Sequence, residues 1–140
     1  LLQARANAER NGFGGMEFVC ADVFDLLTSR CENNERADDF IILDPPAFTK
    51  SHATARDAYR GYKEINLKAM RLLPRGGYLA TCSCSHFMKD DMFRDMLAEA
   101  ARDANVSLRQ IEARQQGPDH PILLNVPETN YLKFYLLQVV

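Results

Sequence analysis

No apolar run in the 140-residue sequence approaches the ~20 residues that a membrane-spanning helix requires, and the first residues lack the charged, apolar and small-residue succession of a secretory signal. The expectation is a cytoplasmic protein with no membrane partner. An excess of positive charge is missing as well: 17 Lys and Arg against 19 Asp and Glu give a formal net charge of −2. Whole-chain capture of nucleic acid rests on cations neutralising phosphates, so any RNA affinity must come from a local patch or another domain. Cysteine is sparse. Cys20, Cys31, Cys82 and Cys84 form no disulfide framework, and the C-x-C spacing of Cys82 and Cys84, without a second pair, does not suit a zinc site. Repeats and low-complexity segments are missing too. What remains, 46% apolar and 26% charged residues, is the composition of one ordinary globular domain.

Helix-favouring residues 1–11 run into Gly12 and Gly14-Gly15, which stop the helix and lead to a short strand over 16–21. A short helix is expected over 22–30 and a surface connection over 32–39. Phe40-Ile41-Ile42-Leu43 is a continuous apolar run ending at Asp44-Pro45-Pro46. Such runs suit a parallel strand covered on both faces, and neither proline can donate to a ladder. The polar segment between Phe48 and Tyr59 reads as an active-site loop. Periodicity then predicts a helix over 62–73, a strand over 78–82, a helix over 87–105 with Met88, Met92 and Met96 as core, and strands over 106–113 and 131–140. The alternation predicts an α/β sheet with helices on both faces and a hairpin at one edge. Ligands of such sheets bind beyond the carboxyl ends of the strands. Asp22, Asp44-Pro45-Pro46 and Cys82-Ser83-Cys84-Ser85-His86 all sit at such ends and are expected to converge on one crevice.

Two of these segments carry recognisable chemistry. Asp22, followed by Val23 and Phe24, can accept hydrogen bonds from a nucleoside amine or hydroxyl while apolar side chains flank the ring; it can equally cap the next helix. Asp44-Pro45-Pro46-Ala47-Phe48 is a rigid, donor-poor turn whose carbonyls remain free to accept from a substrate amine, with an aromatic able to stack on a base.

Taken in order, Asp22-Val23, Asp44-Pro45-Pro46-Ala47-Phe48, Tyr62-Lys63-Glu64-Ile65-Asn66, Gly76-Gly77 and Thr81-Cys82-Ser83-Cys84-Ser85-His86 resemble the ribosomal RNA large-subunit methyltransferase I family, which makes 5-methylcytosine. Asp119-His120-Pro121 and the run from Pro127 to Lys133 resemble that family's C-terminal signature, so the likeness spans nearly the whole chain. It implies a Rossmann-like class I methyltransferase sheet, mostly parallel with an antiparallel C-terminal edge hairpin, in the order 3-2-1-4-5-7-6 but lacking its first two strands. Residues 1–140 would be the C-terminal portion of one methyltransferase domain, with the N-terminal portion and any RNA-binding domain absent. The family's glycine-rich turn and ribose-binding acid are not in the sequence, since Gly12-Phe13-Gly14-Gly15 precedes a strand instead of following one. Without two strands a gap of roughly 14 Å separates strand 3 from strand 4. Residues 1–22 are therefore expected to re-pair against Phe40 to Leu43, to pair with a second copy in a homodimer, or to be poorly placed.

The resemblance also implies roles. The cofactor would be S-adenosyl-L-methionine and the partner ribosomal RNA. Asp22 would bind the adenine amine with Val23 beside the ring, and Asp44 and Pro45 would lie near the methionine moiety and the target base. Pro46, Phe48, Lys50 and His86 would contact substrate. Cys82 would be the nucleophile, adding to cytosine C6 so that C5 can take the methyl group. A free thiol has a pKa near ~8.5, and Lys50, Arg56 and His86 are the nearest candidates to lower it. Related enzymes with two cysteines place the second where this chain has Ala47, which leaves another base or Cys84 to assist product release; Cys84 is also the alternative nucleophile. The 140 residues alone are expected to bind the cofactor weakly and to be inactive. Two further readings keep the fold: methylation of a purine nitrogen, which needs no cysteine, and a non-catalytic RNA-binding module using Lys50 and Arg56.

Overall fold

The computed structural model describes residues 1–35, 38–48 and 55–140. Its elements are α1 (Leu2–Arg10), α2 (Val23–Glu32), β1 (Phe40–Leu43), α3 (Ala55–Leu72), β2 (Tyr78–Ser83), α4 (Asp90–Ala104), β3 (Leu108–Arg114), a 3-10 turn (Pro127–Thr129) and β4 (Lys133–Val139). The strands form one mixed sheet in the order β1-β2-β4-β3. β1 and β2 are parallel, and β4 runs antiparallel to both of its neighbours. This is the 4-5-7-6 part of the order implied by the resemblance. The expected edge hairpin is present, with β3 outermost and its register shifted between Gln110 and Glu112.

Side-chain alternation and register divide the sheet into two faces. Ile41 pairs with Leu79, Leu43 with Thr81, Leu79 with Leu137 and Thr81 with Tyr135, so these residues share a face. That face meets Leu27 of α2, Tyr62, Ile65 and Ala69 of α3, and Phe93, Met96 and Ala100 of α4 in one core. α3 lies between α2 and α4, contacting both. The opposite face carries Phe40, Ile42, Tyr78, Ala80, Cys82, Phe134 and Leu136; Phe40 is 51% and Ile42 69% exposed. The expectation of helices on both faces, and of β1 covered on both faces, is thus corrected. All three core helices pack on one side, because their apolar stripes meet only the odd-numbered strand positions.

Two further expectations change. Residues 16–21 form no strand: a strand needs a ladder partner, and no described residue pairs with them, β1 included. α3 starts seven residues earlier than its period suggested, at Ala55, so Arg56 lies on a helix. Ala58 is buried one turn before Tyr62, which extends the stripe 58-62-65-69-72 and shows why a segment rich in small polar residues is helical. The turn after α3 is required by geometry: Gly76 has φ +92°, and its N–H donates to the Val139 carbonyl, tying the start of β2 to the end of β4. The methionine stripe behaves as core, with Met88 and Met96 fully buried.

A buried polar link joins α3 to the sheet. Asn66 donates to the Tyr62 carbonyl, and its Oδ1 accepts from the Thr81 hydroxyl at 2.8 Å; both side chains are fully buried. Asn66→Ala strands the Thr81 hydroxyl, and the expected loss is about 1–3 kcal/mol. Urea unfolding of Asn66→Ala, Thr81→Val and the double variant checks this: the double should cost less than the sum of the singles, and strict additivity would show that the pair is not coupled.

Candidate active site

Asp22 stands at the N-cap of α2, where its Oδ1 accepts from the N–H of Phe24 at 2.8 Å and of Asp25 at 3.3 Å. Both cap bonds use one oxygen. Among the described residues Oδ2 has no hydrogen-bond partner, and the side chain is exposed, so capping leaves one carboxylate oxygen for a ligand. Across from it β1 ends at Asp44, and Pro45 and Pro46 end the ladder without offering donors. Asp22, Val23, Asp44, Pro45, Pro46 and Phe48 line one cavity of about 460 Å³, floored by Leu43 and Ile65. Phe48 is held there by rings: its centroid is 4.6 Å from Tyr62 and 5.9 Å from Phe24. Gly61 lies beside this ring, where a Cβ would make ordinary van der Waals contact with Phe48 at 3.4 Å.

The cysteine segment does not share that cavity. β2 lies between β1 and β4, and the cavity flanks β1 on one side of it. A second cavity, of about 280 Å³, is lined by His86 and Lys133 among others and flanks β4 on the other side. The cysteine strand thus stands between the two cavities in the sheet order, and Asp44 of the first acts electrostatically on Cys82. Cys82, paired with Phe134, lies on the open face and is half-buried. Burial, then the Asp44 carboxylate, then Cys84, pushes its thiol up to about 11. Of the expected cationic neighbours, Arg56 is exposed on α3 and His86 is exposed with its ring edge-on to Phe87, and neither acts on Cys82. Lys50 lies outside the described residues.

Two buried residues next to β2 were given no role at the site by sequence reasoning, Lys133 on β4 and Tyr62 on α3. Lys133 is buried, and its ammonium donates to the carbonyls of Ser85 at 2.6 Å and Tyr131 at 2.7 Å. It interacts electrostatically with Cys84. Tyr62 is fully buried; burial pushes its hydroxyl up, and Ser83 and the Phe48 backbone stand beside it. The signal for Lys133 was its place in the strongly apolar run 131–140, where period 2 puts it on the same face as Tyr135 and Leu137. The described residues hold no cluster of His, Cys, Asp and Glu that could bind a metal, and no helix long and apolar enough to cross a membrane.

Comparison with known proteins places this geometry. The sequence is 42% identical over 139 residues to the ribosomal RNA large subunit methyltransferase I of Klebsiella pneumoniae (strain 342), covering 98% of this chain and 34% of that protein. The protein of the same name from Salmonella paratyphi B has the same identity and coverage. The chain spans about a third of the length of these curated relatives. No family model matches it. Among solved structures, one described as a methyltransferase complexed with SAH superposes with a TM-score of 0.70 at 20% identity, covering 86% of this chain and 31% of that one. TrmN from Thermus thermophilus gives 0.59 at 20% identity, covering 98% and 32%. These structures share the mixed α/β methyltransferase arrangement.

Proposed function

Because the chain is related over nearly its whole length to the ribosomal RNA large subunit methyltransferase I proteins, we propose that it forms part of an enzyme that methylates cytosine C5 in large-subunit ribosomal RNA. The observation that carries the reading is the cavity joining Asp22 and Val23 to the Asp44-Pro45-Pro46-Phe48 turn, one strand away from two cysteines. Its residues fit S-adenosyl-L-methionine in part. Asp22 Oδ2 is free to accept from the adenine amine beside Val23, and the volume is that of a small-molecule site. A glycine-rich turn and a ribose-binding acid are not among these 140 residues, so they hold only the adenine and methionine ends. When bound, the cofactor supplies an electrophilic methyl group.

The chain's own residues supply positioning and a thiol. The Pro45 and Pro46 carbonyls and the Asp44 carboxylate are acceptors for the cytosine amine, and Phe48 offers a ring to the base. A cysteine thiolate would add to C6, C5 would take the methyl group with S-adenosylhomocysteine as the leaving group, the C5 proton would pass to a base, and the C6–S bond would break to return the thiolate. The surroundings favour Cys84 over Cys82 as that thiol. Burial and Asp44 push the Cys82 thiol up to about 11, whereas the Lys133 ammonium lies close enough to Cys84 to interact with it electrostatically.

The test is trapping on RNA that carries 5-fluorocytosine, using the full-length protein and peptide mapping of the adduct. The adduct is expected at Cys84, and Cys84→Ala should abolish trapping and lower methyl transfer by about 10³-fold or more. An adduct at Cys82 returns the role to that residue. Full activity in the Cys82→Ala, Cys84→Ala double variant would sink the covalent mechanism and leave methylation of a purine nitrogen.

A further inference from the structure

The 280 Å³ cavity on the far side of β2 shares only Lys133 with the reading above. His86 and Lys89 bound it from the β2–α4 turn, Gln115 from the end of β3, and Asn130 and Lys133 from the approach to β4. Lys133 is 7% exposed. An ammonium has three donors; two go to the carbonyls of Ser85 and Tyr131, and among the described residues the third has no acceptor and no carboxylate forms an ion pair with it. Asp90 acts only at longer range, its Oδ1 accepting from the Tyr135 hydroxyl at 2.6 Å. Burial of a cation without a counter-charge is costly, and here it pushes Lys133 down to about 8. Such a group is stabilised when an anion arrives with a ligand.

A second feature points the same way. α4 runs for 15 residues from Lys89, which makes no side-chain cap bond; Asp91 Oδ1 takes the Met92 N–H at 2.8 Å, so it is the very start of the helix, at Lys89 and Asp90, that borders the cavity. Gln115 and Asn130 are exposed amides, each carrying donors and an acceptor, as the edge of a nucleobase requires, and Pro127 and Leu132 add apolar wall. The volume is at the small end of ligand sites and suits one nucleotide better than a stretch of chain.

We propose that this cavity binds one nucleotide of the RNA substrate beside the target base, its phosphate on Lys133 and the N-terminus of α4, its base edge on Gln115 and Asn130. The inference rests on the RNA reading and adds to it a second recognition point, on the opposite side of the cysteine strand from the cofactor cavity. Affinity should fall as pH rises through about 8, because the ammonium is lost there; His86, Lys89, Asp90 and, at the strand end, Cys84 are the other titratable groups around it.

The experiment is calorimetric titration of the full-length protein, saturated with S-adenosylhomocysteine, with cytidine 5′-monophosphate, cytidine and inorganic phosphate. The monophosphate is expected to bind at least tenfold more tightly than either part. Lys133→Met should lose about tenfold, with partial recovery in Lys133→Arg, and Asn130→Ala, at an exposed position, should lose severalfold without a change in thermal stability. Equal affinity for phosphate and the monophosphate would reduce the site to an anion contact and overturn the proposal. So would unchanged monophosphate binding in both Lys133→Met and Asn130→Ala. No methyl transfer occurs in these titrations, so their failure is distinguishable from failure of the fluorocytosine trap.

Discussion

Replacing Phe93 by alanine is expected to lower the unfolding free energy by about 3–5 kcal/mol. The ring is fully buried on α4, edge-on to Tyr62 at 5.9 Å and 81°, and 6.0 Å from Tyr135 of β4. It stands where α3, α4 and the sheet meet, and removing it leaves a cavity that three elements would have to move to fill. A domain of this size is stable by about 5–15 kcal/mol, so the loss is a large share of the whole and cooperative unfolding itself is at risk. Ile42→Ala provides the contrast. Ile42 is apolar and in a strand, yet 69% exposed on the open face, and its truncation should stay within about 0.5 kcal/mol. Urea unfolding of both variants decides the matter: comparable losses at Phe93 and Ile42 would contradict a core confined to one side of the sheet.

That contrast also shows which parts of the fold were legible. Phe40–Leu43 reads as a strand because four apolar residues end at Asp44-Pro45-Pro46, and it is one. Its burial was not legible, since period and composition describe a strand and not what covers it: Ile42 has the sequence signature of core and the exposure of surface. Residues 16–21 failed for a related reason. Strand propensity is local, but a ladder is made by a partner elsewhere in the chain, and none of the described residues supplies it. At the site, Asp22 and the Asp44-Pro45-Pro46 turn were readable because each helps to start or stop an element: Asp22 caps α2, and the prolines end β1. Lys133 was not. A lysine in an apolar strand looks like a solvated interruption; period 2 puts it on the face of Tyr135 and Leu137, but only the fold brings it to the Ser85 carbonyl.

Asp22 holds two roles on one carboxylate, and two substitutions separate them. Asp22→Ala removes the Oδ1 acceptor of the Phe24 and Asp25 N–H groups, at an expected cost of about 1 kcal/mol in stability, and also removes Oδ2, the oxygen proposed for the adenine amine. Asp22→Ser keeps a cap acceptor of similar quality but is one atom shorter and uncharged. A hydrogen bond to a charged acceptor is worth about 1.5–3 kcal/mol, or roughly ten- to a hundredfold in affinity. The full-length protein carrying either substitution should therefore lose about that factor in calorimetric titration with S-adenosylhomocysteine, while only Asp22→Ala loses thermal stability. If Asp22→Ser bound as tightly as the unsubstituted protein, the carboxylate would be a helix cap alone, and the adenine end would have to be held elsewhere along the Val23 to Asp44 cavity. Stability lost equally in both variants would instead show that the charge, acting on the N-terminal dipole of α2, matters more than the cap bonds.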